Sequence, residues 1–519
     1  MIKLKVFTLY FVFSLLIVSY NVKAQDNTKP NIILIMADDL GYETIGANGG
    51  SSYKTPEIDR MATNGMRFEH CYAQPLCTPS RVKIMTGIYN VRNYGRFGKL
   101  HTSQTTFGHL FKDAGYATCI TGKWQLGKDP ASPQQAGFEK HCLWQIREGK
   151  TDSTGRDNRY PMPTLEIDGN LKTYAETDYG PDIISEYGLD FIEKSHEDGK
   201  PFLWYYPMVL THCPFSATPD SPEWMKDDST VMTYKGQAHY FEDMVEKMDK
   251  IVGEINHKLE ELGIQNNTIV IFTGDNGTDT PIVSVLNGRE VAGAKGKTTD
   301  AGTRVPLIVK WPNTIKANSI NENLIDFSDF LPTVCEAASI KVPDNLDIDG
   351  HSFFPQLVGE KGDARKWIYC WYSRTGKDSQ AKVFARNQQY KLYESGEFYE
   401  VPNDDKEKNT FAGEIIYKTD VDVFDTITHI DLGNVNEGIT ELYINGAKVG
   451  KHWYGKAVYS VADFLKKGQN TIEIRYTSVL ANYCMSLDNK MTNRWTRTYK
   501  KNGKISIGLE GPIKLLHYK

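Results

Sequence analysis

Residues 31–37 read NIILIMA and run straight into Asp38-Asp39. A strand that is apolar on both faces needs a covering layer on each side, so it belongs at the centre of a covered sheet. Residues 202–207 (FLWYYP) and 268–273 (TIVIFT) have the same character. Between those two, over about 235–262, apolar residues recur near the helical spacing. Residues 104–113 and 182–193 also read as helices. Strands alternating with helices predict an α/β fold, a mostly parallel sheet sandwiched by helices. In such sheets, sites form beyond the carboxyl ends of strands. Asp38-Asp39 and Asp275-Asn276 follow two such ends.

The chain has 519 residues, too many for one ordinary core. After about Thr410 the texture changes to short alternating runs at 414–417, 427–432, 441–444 and 471–476. Asn445-Gly446 follows the third of these and is a hairpin signal. An all-β sandwich is therefore expected over 411–519, reached through the polar stretch 402–409.

At the other end, Lys3 and Lys5 precede a mostly apolar run from Val6 to Val18, and Val22-Lys23-Ala24 offers a cleavage site. This pattern predicts a secretory signal over 1–24 and an exported protein, periplasmic or secreted. The apolar run is short for a membrane span, and no later one is long enough. No membrane span is expected. The net charge of −5, without blocks of like charge, argues against a nucleic-acid partner and a polybasic anchor. The eight cysteines are scattered, with no C-x-x-C spacing to suggest zinc or redox chemistry. Most are expected to be buried small apolar groups.

The sharpest segment is residues 75–87, PLCTPSRVKIMTG. Thr78 is expected to cap a helix, with Pro79 in its first turn and a stop at Gly87. Cys77 would then lie at a helix start, where free N–H groups and the helix dipole favour an anion. Arg81 follows about one turn later. A nucleophile beside an anion site and an Arg fork suits a sulfate or phosphate ester; a buried cysteine in an ordinary helix is the plain alternative.

The C-x-P-S-R core followed by Ile84-Met85 and Thr86-Gly87 resembles the type I sulfatase signature, of the alkaline-phosphatase superfamily fold. Other segments resemble that family in the same order: NIILIMADDL at 31–40, GYATCITGKWQLG at 115–127, THCPF at 211–215, FTGDNG at 272–277 and GAKGKTTDAGTRVP at 293–306. Residues 390–409 resemble its C-terminal subdomain. The resemblance spans roughly 29–409. It implies a sulfatase domain over 25–410, with a catalytic core to about 340 and a C-terminal subdomain over about 341–410.

The resemblance further implies that Cys77 is oxidised to formylglycine (3-oxoalanine) by a formylglycine-generating or sulfatase-maturating enzyme. One hydroxyl of its hydrate attacks sulfur, and loss of the other's proton then expels sulfate. Asp38, Asp39, Asp275 and Asn276, with residue 77, would bind Ca²⁺; oxygen ligands suit such a hard cation. Arg81, Lys123 and Lys295 would neutralise sulfate oxygens, and His212 or Lys295 would protonate the leaving alcohol.

One position departs from the family. The second signature usually reads Lys-Trp-His, and here it is Lys123-Trp124-Gln125. A glutamine hydrogen-bonds but cannot take a proton. Gln125 is expected to orient the sulfate or the diol while another group serves as base; a slow enzyme stalled as its sulfated adduct is the alternative.

Segments 441–453, 465–474 and 508–515 resemble the terminal β-sandwich, galactose-binding-like, of glycoside hydrolases. This module is either a docking domain or a sugar binder with Trp453 or Tyr454 as a stacking platform. Its company points to a sulfated carbohydrate substrate and an exo-acting sulfatase in carbohydrate degradation. Alternatives are a phosphodiester or phosphonate hydrolase of the same superfamily, or a catalytically impaired glycan-binding protein. Segments 134–160 and 213–235 match no family motif, and Trp144, Arg147 and Arg159 are candidate pocket residues.

Overall fold

The computed structural model describes residues 29–147, 149–226, 229–396, 398–401, 413–453, 455–478, 508–510 and 513–517. The expected signal (1–24), the linker 402–409, Tyr454 and Cys484 lie outside the described residues.

One eleven-stranded sheet organises the catalytic region. Its strands are β1 (Asn31–Ala37), β2 (Met66–Tyr72), β3 (Ala117–Lys123), β4 (Lys140–Trp144), β5 (Thr164–Ile167), β6 (Asn170–Thr173), β7 (Phe202–Pro207) and β8 (Thr268–Gly274). After a separate hairpin of β9 (Val283–Leu286) and β10 (Arg289–Ala292) come β11 (Arg304–Val305), β12 (Leu307–Lys310) and β13 (Ser319–Asp326). The order is β11-β2-β12-β8-β1-β7-β3-β4-β5-β6, with β13 beside β2. The central run β8-β1-β7-β3-β4 is parallel. Both flanks are antiparallel, at β12 on β8 and at β5 on β4, so the parallel character is that of the centre.

The two-faced apolar run at 31–37 has the predicted consequence. Ile32, Leu34 and Met36 enter one core, and Ile33, Ile35 and Ala37 the other. The first core is closed by α2 (Cys77–Thr86), α3 (Phe107–Asp113) and α6 (Phe330–Ala337). The second is closed by α1 (Pro56–Thr63), α4 (Gly180–Glu197) and α5 (Phe241–Glu261). The result is a three-layer sandwich.

Two helices start later than their sequence pattern suggests. Thr106 caps α3 by accepting from the His109 N–H, so residues 104–106 stay outside it. Before α5, the Phe215 N–H donates to Lys235 O and the Gln237 N–H to Phe215 O, which ties that backbone to another segment instead of to a helix.

A second sheet, β14 (Ile368–Tyr372), β15 (Lys382–Arg386), β16 (Tyr390–Tyr393) and β17 (Phe398–Glu400), packs Cys370, Tyr372 and Phe384 with Tyr393 and Leu76, next to Cys77. Toward the C-terminus lie β18 (Glu414–Val423), β19 (His429–Asp431), β20 (Asn434–Asn436), β21 (Gly438–Ile444), β22 (Ala447–His452), β23 (Val458–Ser460), β24 (Gly468–Ser478), β25 (Gly508–Glu510) and β26 (Lys514–Leu516). They form antiparallel sheets β18-β24-β21-β22, β23-β19-β26 and β20-β25. Leu442, Ile444, Ile472 and Ile474 of the first share a core with Ile430 and Tyr459 of the second. Asn445 and Gly446 both have positive φ and turn β21 into β22, as their dipeptide predicts.

Candidate active site

Four strand ends and one helix start build the site. In register, Ala37 pairs with Gly274, so the acidic residues after β1 and β8 emerge side by side. Asp38, Asp39, Asp275 and Asn276 are all fully buried. Asp39 adopts a left-handed φ of 63°, a conformation aspartate tolerates better than most residues. Its N–H donates to Asp275 Oδ1 at 3.0 Å, and Asn276 Nδ2 donates to Asp39 Oδ1 at 2.8 Å. Lys123 closes β3 and donates to Asp38 Oδ2 at 2.6 Å. Close packing of β3 on β7 makes that approach possible: a Cβ on Gly122 would lie 2.0 Å from Pro207 O. After β7, backbone bonds between Asp38 and both Leu210 and Thr211 bring His212 to the same place.

Cys77 is the first residue of α2 and is buried. Here the structure corrects the expected cap. Leu76 holds the N-cap position in extended conformation, with no side-chain cap. Thr78 lies inside the first turn; its hydroxyl donates to Gln125 Oε1 at 3.2 Å and accepts from the Gly98 N–H. Cys77 Sγ donates to the same Gln125 oxygen at 3.0 Å. Burial raises the pKa of the Cys77 thiol; nearby Lys123 opposes that, and Asp38 and Asp275 add to it. One turn on, Arg81 donates to Lys123 O at 2.8 Å and to Asp275 Oδ2 at 3.2 Å.

Lys295 donates to Asp39 Oδ2 at 2.5 Å, and His212 Nε2 lies 3.7 Å from that oxygen. Burial, reinforced by Lys295, Lys123 and Arg159, holds His212 well below its usual pKa. Burial pushes the Asp275 carboxyl up to about 8, with Asp38 adding to it. Two buried acceptors, Asp38 Oδ1 and Asn276 Oδ1, have no hydrogen-bond partner. Each such group costs about 1–3 kcal/mol if nothing satisfies it. A carboxylate oxygen from each of Asp38 and Asp275 lies with Cys77 Sγ within a 4.8 Å group. Crowded carboxylates and unspent oxygens fit a hard cation.

The structure thus brings together Asp38, Asp39, Cys77, Arg81, Lys123, Gln125, His212, Lys295, Asp275 and Asn276. Trp144 and Arg159 join them: Arg159 lies 4.1 Å over the Trp144 ring and 2.9 Å from His212 Nδ1. Arg147 turns away to Glu166 and Gly169 O. Sequence reasoning missed Asp157, which grips Arg159, and Lys150, whose ammonium lies 5.1 Å over the Tyr234 ring. Burial lowers the Lys150 pKa, and Arg159, Lys123 and Lys295 lower it further, so this lysine faces the same cluster of charge. Neither residue carries a spacing signal; both lie in or beside segments without family motifs. The seven described cysteines are all buried and free. No helix among the described residues is long and apolar enough to cross a membrane.

Comparison with known proteins agrees with this architecture. The Sulfatase family model matches residues 30–340, and the model for the N-sulphoglucosamine sulphohydrolase C-terminal region matches 295–426. The N-acetylgalactosamine-6-sulfatase of Mus musculus is 32% identical over 362 residues, 63% of this chain and 66% of that protein. The steryl-sulfatase of Homo sapiens is 29% identical over 424 residues, 67% of this chain and 73% of that protein. The chain spans about two thirds of the length of the first of these relatives. The crystal structure of Ps i-CgsB in complex with k-i-k-neocarrahexaose superposes with a TM-score of 0.62 at 26% identity, covering 73% of this chain and 88% of that one. The family model alone covers more than half of the sequence, and the chain belongs to the sulfatase family.

Proposed function

We propose that this protein is an exported, exo-acting carbohydrate sulfatase that uses a formylglycine made from Cys77 and a Ca²⁺ held by Asp38, Asp39, Asp275 and Asn276. The observation that carries this reading is the pair of unpartnered buried oxygens, Asp38 Oδ1 and Asn276 Oδ1, beside a cysteine at a helix start. When present, the cation would polarise the sulfate ester and the hydrated aldehyde would supply the attacking hydroxyl. The chain's own residues do the rest. Arg81, Lys123 and Lys295 surround the acidic cluster and are placed to hold sulfate oxygens. Lys295 and His212 converge on one oxygen of Asp39, the side from which a leaving alcohol would be met. The burial of Cys77 suits a sulfate at a chain end better than one within a polymer. A sugar substrate is supported by a relative named N-acetylgalactosamine-6-sulfatase and by a neighbour solved with a neocarrahexaose. Residues 1–24 would direct export, and a maturating enzyme would act on Cys77.

The test is sulfate release across defined sulfated mono- and oligosaccharides, with matched phosphate esters in parallel, and the mass of the Cys77 peptide from the native host. Release of phosphate alone, or an unmodified thiol with no turnover, overturns the reading. Gln125 accepts from both Cys77 and Thr78, which suits a residue that orients the diol. Gln125→His is expected to change the steady-state rate relative to the burst; identical kinetics would remove residue 125 from the release of sulfate.

A further inference from the structure

Resting on the sulfatase reading, we propose that Arg159 is a positioning residue that fixes His212 as the Nε2–H tautomer, so that His212 offers a hydrogen-bond donor to the sulfate ester.

Arg159 is 1% exposed. Asp157 holds it bidentately, with Nε donating to Oδ1 at 2.9 Å and Nη2 to Oδ2 at 3.0 Å. The guanidinium carbon lies 4.1 Å over the Trp144 ring. Two of three nitrogens are thus committed, and the third, Nη1, is aimed at His212 Nδ1 at 2.9 Å. A guanidinium has donors and no acceptor, so Nδ1 must present its lone pair and the ring proton must sit on Nε2. The backbone of the histidine is held as well: Tyr160 Oη shares its hydrogen between His212 O and Val209 O.

One neighbour argues the other way. Cys213 O lies 2.5 Å from Nδ1, and a carbonyl there favours a proton on Nδ1. The guanidinium outweighs it because a full buried charge interacts more strongly than a neutral dipole. Nε2 then carries the ring hydrogen on the side of the acidic cluster and Lys295, 3.7 Å from Asp39 Oδ2. A donor at that point suits an anionic ester; a lone pair there would repel one. Asp157 and Arg159 are two residues apart, and only tertiary structure brings that pair to His212.

The first measurement is the ¹⁵N imidazole spectrum of the full-length protein, with His212 assigned by difference from His212→Asn. The expected signature is an acceptor-type Nδ1 and a protonated Nε2; a protonated Nδ1 overturns the proposal. This readout needs no turnover, so it stands even if no sulfated sugar is hydrolysed, which would overturn the sulfatase reading instead. The second is a kinetic cycle. Asp157→Asn with Arg159→Met removes the buried pair together, so no lone charge is left behind. This double change is expected to lower kcat/KM by about 10- to 100-fold through misplacement of the ring. The same change made in His212→Ala is expected to cost nothing further. An equal loss in both backgrounds means that Arg159 serves the fold alone, and overturns the proposal.

Discussion

Lys123 meets Asp38 at 2.6 Å in the catalytic centre, and Lys448 meets Glu441 at 2.8 Å on the C-terminal sandwich. By distance the two pairs are alike. By burial they are opposites: 1% and 0% exposed in the first, 48% and 20% in the second. Bonds from Lys448 and Tyr443 pull Glu441 down to about 2, but surrounding water screens that pair and leaves it worth little. In the centre, burial removes most of that screening. Three cations and three carboxylates are locked together, oxygens are left unsatisfied, and Asp39 and Gln125 take left-handed backbone. The sandwich breaks few local rules: its strands alternate, its turn is Asn-Gly, and its charges lie outside. The lesson is that two ion pairs of similar length differ in weight because burial removes the screening that weakens the exposed one.

The largest effect that would sharpen this contrast is at residue 77. Cys77→Ala is expected to lower sulfate release by at least about 10⁴-fold, as loss of a nucleophile does; steady-state sulfate assay checks it. Next comes burial itself. Lys83 and Asp326 meet at 2.7 Å, each 1% exposed, outside the acidic cluster. Lys83→Met is expected to cost about 3–5 kcal/mol of stability, because it strands a buried carboxylate. The matching change at Lys448 is expected to cost under about 1 kcal/mol. Urea unfolding of both variants decides, and equal losses would break the comparison. Third, Ca²⁺ at a hundred times its Kd is expected to stabilise the protein by about 2.7 kcal/mol. That gain, read as a rise in Tm, should vanish in Asp275→Asn. The smallest effect belongs to the sandwich. Trp453 is 77% exposed. If it stacks on sugar, Trp453→Ala should weaken polysaccharide binding by about 0.5–1.5 kcal/mol while turnover of small sulfated sugars stays the same. Binding that does not change would make the module a docking domain.

Much of the fold was legible because it rests on short-range signals. The run at 31–37 required two covering layers and received them. The helix starting at Cys77 ends at Gly87, whose φ of 69° suits glycine. The acidic pairs could be placed at strand ends from position alone. Helix starts were less legible. Thr78 looks like a cap, yet its hydroxyl is engaged by Gln125, 47 residues away. Residues 235–237 look helical, yet their backbone pairs with Phe215.

By itself, then, the sequence determined the layered α/β plan, the turn to β-structure after residue 410, and an ordered set of motifs that marks the sulfatase family. These follow from periodicity and from residue types within a few positions. Only the tertiary structure decided which oxygens stay unpaired, that Gln125 faces Cys77, and that Asp157 aims Arg159 at His212, 53 residues away. Those contacts join distant segments, and a hydrogen bond depends on distance and angle, which no local pattern encodes.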